Sequence, residues 1–192
     1  MGLTAMLQLL RPAVVLLGFF LLLTGLAYPL AITGLAQTVL PGPANGSLIS
    51  RDGKVIGSAI IGQRFTHDHY FWSRPSAAGT DGYDASSSSG SNLGPTSGAL
   101  MERIRSELAR HGGGPLAADA VTASASGLDP HISPENARGQ IARVAAARGL
   151  STAQVATLVE SRLEGRALGI FGEPRVNVLA LNMALDGLKP MP

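Results

Sequence analysis

No cysteine occurs among the 192 residues. That excludes a disulfide framework, thiolate metal sites and a thiol nucleophile. Charge is also scarce: 15% of the residues are Asp, Glu, Lys or Arg, against about 25% in ordinary chains. The shortage is local, because the 39 positions between Arg11 and Arg51 hold no Asp, Glu, Lys, Arg or His. A formal net charge of +2 with no basic run lacks the footprint of a nucleic-acid protein. There is no Walker A loop, no G-x-G-x-x-G between a strand and a helix, no G-x-S-x-G elbow and no S-x-x-K. The usual sequence routes to nucleotide binding and serine hydrolysis are therefore missing.

What fills the uncharged stretch is apolar. From Ala13 to Leu35 only Thr24, Tyr28 and Thr33 carry polar side-chain groups. At 1.5 Å per residue, about 20 such residues cross a hydrocarbon core of about 30 Å. Apolar residues on every face suit lipid better than a half-buried soluble helix. Pro12 is expected in the first helical turn, and Pro29 is expected to kink the helix or start its exit. Tyr28 suits an interfacial depth. Small-x-small sites at Gly25–Ala27 and Gly34–Ala36 raise a cleaved signal peptide as the alternative. The apolar run continues past the first of them, and an uncleaved anchor is preferred. Arg11 on one flank, with no charge on the other until Arg51, places the amino terminus in the cytoplasm by the positive-inside rule. The expected organisation is a short cytoplasmic N-terminus (1–11), a transmembrane helix (12–35), a linker (36–45) and an extracytoplasmic soluble domain (46–192).

About 145 residues suffice for one domain with its own core. Gly46–Ser50 and Lys54–Gly57 flank Asp52-Gly53, a hairpin signal. Phe65, Tyr70, Phe71 and Trp72 are four of the nine aromatics, and such a cluster beside a hairpin reads as core or interface. The Ser/Gly-rich stretch 81–98 reads as a long loop, either a flexible linker or a functional segment. Leu100, Met101, Ile104 and Leu108 share a helical face that ends at His111–Gly114. Val121-Thr122 is a plausible short strand. Ser133 with Pro134 starts a helix expected to run to Gly149. Ser151 with Gln154 is a capping box for the next helix, whose apolar face is Val155, Leu158, Val159 and Leu163. A last helix is expected from about Val176 to Asp186. Short strands first and helices later give an α+β domain.

Few residues offer chemistry. His67 and His69 flank Asp68, but a zinc site needs a third or fourth ligand with defined spacing, so no metal site is expected. Asp129 and His131, with the many serines, raise a membrane-anchored extracytoplasmic hydrolase as the alternative function. The plainer reading is that both residues hold the turn into the Ser133-capped helix. The residues taken alone point to a membrane-anchored partner protein with no catalytic residues and no cofactor of its own.

Segments spread over nearly the whole chain then resemble one family, the C subunit of the Kdp-type potassium-transporting P-type ATPases of bacteria. They include Tyr28-Pro-Leu30, Asn45–Ile49, Ile61-Gly-Gln63 and Tyr70–Ser76. They continue through Tyr83-Asp84, Gly90–Gly94, Val121–Pro134, Gly172-Glu-Pro174 and Val176–Leu179. The resemblance implies an accessory, non-catalytic subunit of an ATP-driven potassium importer in the bacterial inner membrane. Its implied partners are a channel-like potassium-binding subunit, a P-type ATP-hydrolysing subunit and a small membrane subunit. ATP and potassium ion then act at the level of the complex, and the phosphorylation motif D-K-T-G-T is absent here. The resemblance also implies a catalytic chaperone that raises the pump subunit's ATP affinity, with Gln140 as the residue matched to a nucleotide contact. An extracytoplasmic domain would not reach cytosolic ATP, so the two implications pull apart. The candidate partner contacts are Phe65, Tyr70, Phe71, Trp72, Arg74, Asn92, Asp129 and His131.

Overall fold

The apolar N-terminal run forms helix upon helix. In the computed structural model, which describes residues 3–190, helix α1 (Leu3–Leu22) passes through a π-helical turn (Leu23–Ala27) into α2 (Tyr28–Val39). Residues Gln8–Val39 are long and apolar enough to cross a membrane, and none of the most apolar window is buried. The π turn directly precedes Pro29. Proline has no N–H to donate, and its ring collides with the carbonyl four residues back, so a widened turn upstream absorbs the misfit. Pro12 lies inside α1 and not in a first turn. No Gly or Pro precedes it in residues 3–11, so nothing there stops the helix. Residues 1 and 2 of the expected N-terminal stretch lie outside the described residues. The stretch 36–45, expected as a linker, is mostly helical: α2 runs to Val39, and one further turn, α3 (Pro41–Ala44), follows. The Gln37 and Asn45 amides exchange hydrogen bonds of 3.3 and 3.0 Å across that turn.

The chain divides into two units, Met1–Leu48 and Ile49–Pro192. At the start of the second, β1 (Leu48–Arg51) and β2 (Lys54–Ser58) form the expected hairpin. Asp52 and Gly53 both have positive φ, 51° and 75°, the geometry of the tight turn that matches strand twist. Helix α4 (Gly98–Arg110) starts on a Ser97 cap and stops, as expected, at His111. Val121 closes a short helix, α5 (Ala118–Val121), and is not in a strand.

A second sheet, built from late in the chain, was not visible in the hydrophobic pattern. Its strands are β3 (His131–Ile132), β4 (Leu163–Glu164) and β5 (Arg175–Asn177), antiparallel in the order β3-β5-β4. The register pairs Ile132 with Val176, and Val176 with Leu163. Two- and three-residue strands are too short to show an alternation. They displace two expected boundaries. The last helix, α9 (Val178–Leu188), begins two residues late because Val176 and Asn177 belong to β5, and the Asn177 side chain caps it. Leu163 belongs to β4, because α8 (Thr152–Ser161) has already ended.

The helix expected from Ser133 to Gly149 is two helices. The first is α6 (Pro134–Gly139), started by the Ser133 hydroxyl on the Asn136 N–H. The second is α7 (Ile141–Arg148), closed by Gly149 in the left-handed conformation. The break falls at Gln140, just after the helix-weakening Gly139. Helices α6 to α9 enclose one core with the sheet: Phe71, Ile132, Val144, Val155, Val159, Val176, Val178, Leu181 and Leu185. The second unit is thus α+β.

Candidate functional site

Residues 67–72 cross the second unit without a β-strand partner, so their backbone groups need partners of another kind. Side chains supply them. Asn182 of α9 accepts from the Phe71 N–H at 2.8 Å and donates to the Phe71 carbonyl at 3.0 Å. One residue on, the Trp72 N–H donates to Gln140 Oε1 at 2.7 Å, and Gln140 Nε2 donates to the Trp72 carbonyl at 3.1 Å. Two side-chain amides thereby imitate the rungs of a β-ladder. Arginines complete the clamp: Arg143 donates to the carbonyls of Asp68 (2.6 Å) and Tyr70 (3.1 Å), and Arg148 to that of His69 (2.7 Å).

The remaining valences of these groups are also used inside the fold. Gln140 Nε2 donates to Asn136 Oδ1 at 2.8 Å, Arg143 donates to Gln140 Oε1 at 2.6 Å, and Gln140 is 3% exposed. Arg148, with a fully buried side chain, pairs with Asp186 at 2.7 Å and donates to the Lys189 carbonyl. Burial opposes ionisation of Asp186. Hydrogen bonds from Arg148, Arg51 and Tyr70 outweigh it and hold the carboxyl below its ordinary range. Two guanidinium groups stand over the Trp72 ring, Arg110 at 4.1 Å and Arg143 at 3.7 Å, and the His111 ring meets it at 75°. Burial, with a contribution from Arg110, pushes Arg143 down to about 10, so it stays charged at neutral pH. Burial and the same two arginines lower the His111 pKa below 6.5, against a smaller opposing pull from Glu107.

The second group of candidate residues sits at the turn before α6. Asp129 Oδ1 accepts from the His131 N–H at 2.9 Å and faces His131 Nδ1 at 3.4 Å, while Oδ2 pairs with Arg74 at 3.2 Å. Burial raises the Asp129 carboxyl, but the bonds from His131 and the Arg74 charge prevail and bring it down. The other imidazole nitrogen, Nε2, faces Glu164 at 3.8 Å. A serine hydrolase needs a hydroxyl at that nitrogen, and here a carboxylate stands in its place. The nearby Ser133 hydroxyl is bonded to Asp119 and caps α6. The hydrolase alternative therefore fails on geometry. An open cleft of ≈ 470 Å³ beside this turn is walled by Arg74, Asp119, Asp129, His131, Glu135 and Arg175, among others. Among the described residues no group of three or more His, Asp or Glu is placed to hold a metal ion.

The Ser/Gly stretch is an ordered loop. Ser76 Oγ donates to the Gly127 carbonyl at 2.6 Å and accepts from the Ala78 and Tyr83 N–H groups, and Ser89 N–H donates to the Ser126 carbonyl. Gly127 has φ +66°, and a Cβ there would stand 2.6 Å from the Ser89 carbonyl. Asn92 lies in this loop, exposed, with φ +53°.

The candidate residues thus separate. Phe71 and Trp72 are core, while Phe65 and Tyr70 pack partly buried beside them. Arg74, Asp129 and His131 share the turn, and Asn92 stands apart. Sequence reasoning missed Asn182, Arg148 and Asp186 as parts of the clamp. Asn182 had a signal, an amide within the apolar run Val178–Leu185.

A family model described as "KdpC: K+-transporting ATPase, c chain" matches residues 10–187. A potassium-transporting ATPase KdpC subunit from Gemmatimonas aurantiaca is 57% identical over 188 residues, covering 95% of this chain and 94% of its own. Its counterpart from Myxococcus xanthus is 59% identical over 173 residues, covering 86% and 82%. That from Caulobacter vibrioides is 55% identical over 190 residues, covering 96% of each.

Proposed function

This chain belongs to the KdpC family, the c chain of K+-transporting ATPases, and we propose that it acts there as a non-catalytic buttress held outside the cytoplasm. In this reading α1 and α2 anchor the chain as a single membrane pass with its amino terminus in the cytoplasm. The second unit then stabilises the assembly by resting on the channel-like, potassium-conducting subunit. Any gain in the ATP affinity of the pump subunit passes through that assembly and needs no nucleotide on this chain.

The observation that carries the reading is the clamp on residues 67–72. The glutamine matched to a nucleotide contact is 3% exposed and spends its amide on Trp72, Asn136 and Arg143. A side chain so committed keeps a backbone in place; it has no free valence for a ligand. Of the candidate contacts, the partly exposed Phe65, Tyr70, Arg74, Asp129 and His131 and the exposed Asn92 remain on the surface for partners.

The test is to purify the complex carrying Gln140→Ala and, in parallel, Asn182→Ala, which removes the neighbouring rung. The proposal expects both variants to lower the melting temperature of the complex, with the KM for ATP unchanged in whatever complex remains assembled. A raised KM for ATP with Gln140→Ala alone, at unchanged stability, would replace it with direct nucleotide contact.

A further inference from the structure

Between β4 and β5 the chain leaves the core and returns, and its outermost residues are apolar. Leu168 is 88% exposed, Ile170 72% and Phe171 64%. Isolated exposed apolar residues are ordinary; three within four positions at the end of a projection are not. The projection is braced. Ala167 and Phe171 exchange two backbone hydrogen bonds of 2.9 Å. Below them Arg166 pairs with Glu173 at 2.7 Å, and Arg175 with Glu164 at 2.9 Å. Leu168 also occupies the left-handed region at φ +55°, which disfavours a bulky side chain and suits glycine. A strained backbone that holds a leucine out in water points to a use for that leucine.

We propose that the tip formed by Leu168, Ile170 and Phe171 is a docking knob that inserts into an apolar socket on another subunit of the potassium-transporting complex. This rests on the reading of the chain as an accessory subunit. Charge selects a protein socket over the bilayer surface. From Leu163 to Arg175 the two arginines are matched by two glutamates that pair with them. The tip therefore carries no surplus cation to seek anionic lipid, and it has no Trp, Tyr or Lys to anchor at a headgroup layer. The exposed Glu173 and Glu164 would be repelled there. A knob of aliphatic and aromatic side chains on a neutral, rigid stem can seat those side chains as the few buried anchors that carry most of an interface's affinity.

The experiment places a photoreactive benzoylphenylalanine at Ile170 of the full chain in the assembled complex, irradiates it and identifies the adduct by mass spectrometry. In parallel, Leu168→Ser and Ile170→Ser are combined in a tagged full-length chain. The expected adduct is with a polypeptide of a different subunit. The double variant should recover at least about tenfold less partner, as for the loss of a hot-spot contact, at an unchanged melting temperature of the chain. An adduct with phospholipid, with a second copy of this chain, or with nothing overturns the proposal. Undiminished recovery by the double variant also overturns the knob while leaving the accessory-subunit reading intact. Failure of the unaltered chain to recover any partner would instead remove that reading, and the knob with it.

Discussion

Gln140 and Asn182 face successive residues of an unpartnered segment and close both hydrogen bonds of each, Phe71 by Asn182 and Trp72 by Gln140. Truncating either side chain strands two buried backbone groups, at about 1–3 kcal/mol apiece. Gln140→Ala and Asn182→Ala should therefore each destabilise the chain by about 3 kcal/mol, read by thermal melting in detergent. The Arg148–Asp186 pair is buried on the arginine side and 16% exposed on the other. Arg148→Met leaves Asp186 facing a space built for a cation and should cost about 3–5 kcal/mol. The pH dependence follows from two kinds of group. His111 has a folded pKa below its ordinary 6.5, so as pH falls the unfolded chain takes up the proton first and stability begins to fall there. Asp186 and Asp129 are depressed below 3.8; their contribution is complete above that value and is lost as pH falls through the lower folded one. His111→Gln should flatten the decline in melting temperature between about pH 7 and 5 and leave the acid limb below about pH 4 in place.

At the scale of elements, the parts with strong local signals were legible. Asp52-Gly53 announced its hairpin, Ser133 and Ser151 their helices, and Gly149 the end of α7. Each is a local hydrogen-bond or φ requirement that one or two residue types meet. Ser133→Ala, which unties both the α6 cap and the bond to Asp119, should cost about 1–2 kcal/mol by chemical or thermal denaturation. Gly127→Ala should cost at least as much, since it adds a left-handed strain to a collision with the loop below. What was not legible depends on distant residues. The strands β3, β4 and β5 exist because segments far apart in sequence meet, and two residues cannot display a period. The clamp is hidden for the same reason: Phe71 and Asn182 are 111 positions apart. Burial divides the aromatic cluster expected as core or interface, with Phe71 and Trp72 inside and Tyr70 and Phe65 at the margin. The nucleotide expectation for Gln140 came from resemblance alone, and resemblance carries no burial.

For the whole molecule, one apolar helical unit and one compact α+β unit belong to a subunit of a potassium-transporting ATPase. In the proposed arrangement the α+β unit faces away from the cytoplasm and works by contact, out of reach of ATP. The chain's lack of cysteine makes that arrangement directly measurable, because any thiol introduced is the only one in it. Ala85→Cys lies in the exposed loop and Thr4→Cys at the opposite end of the apolar span. Intact cells expressing each variant are treated with a maleimide that cannot cross the inner membrane, before and after that membrane is opened. Labelling of Ala85→Cys in intact cells, with Thr4→Cys labelled only after opening, is the predicted result. The reverse pattern would place the α+β unit beside cytosolic ATP and contradict the account.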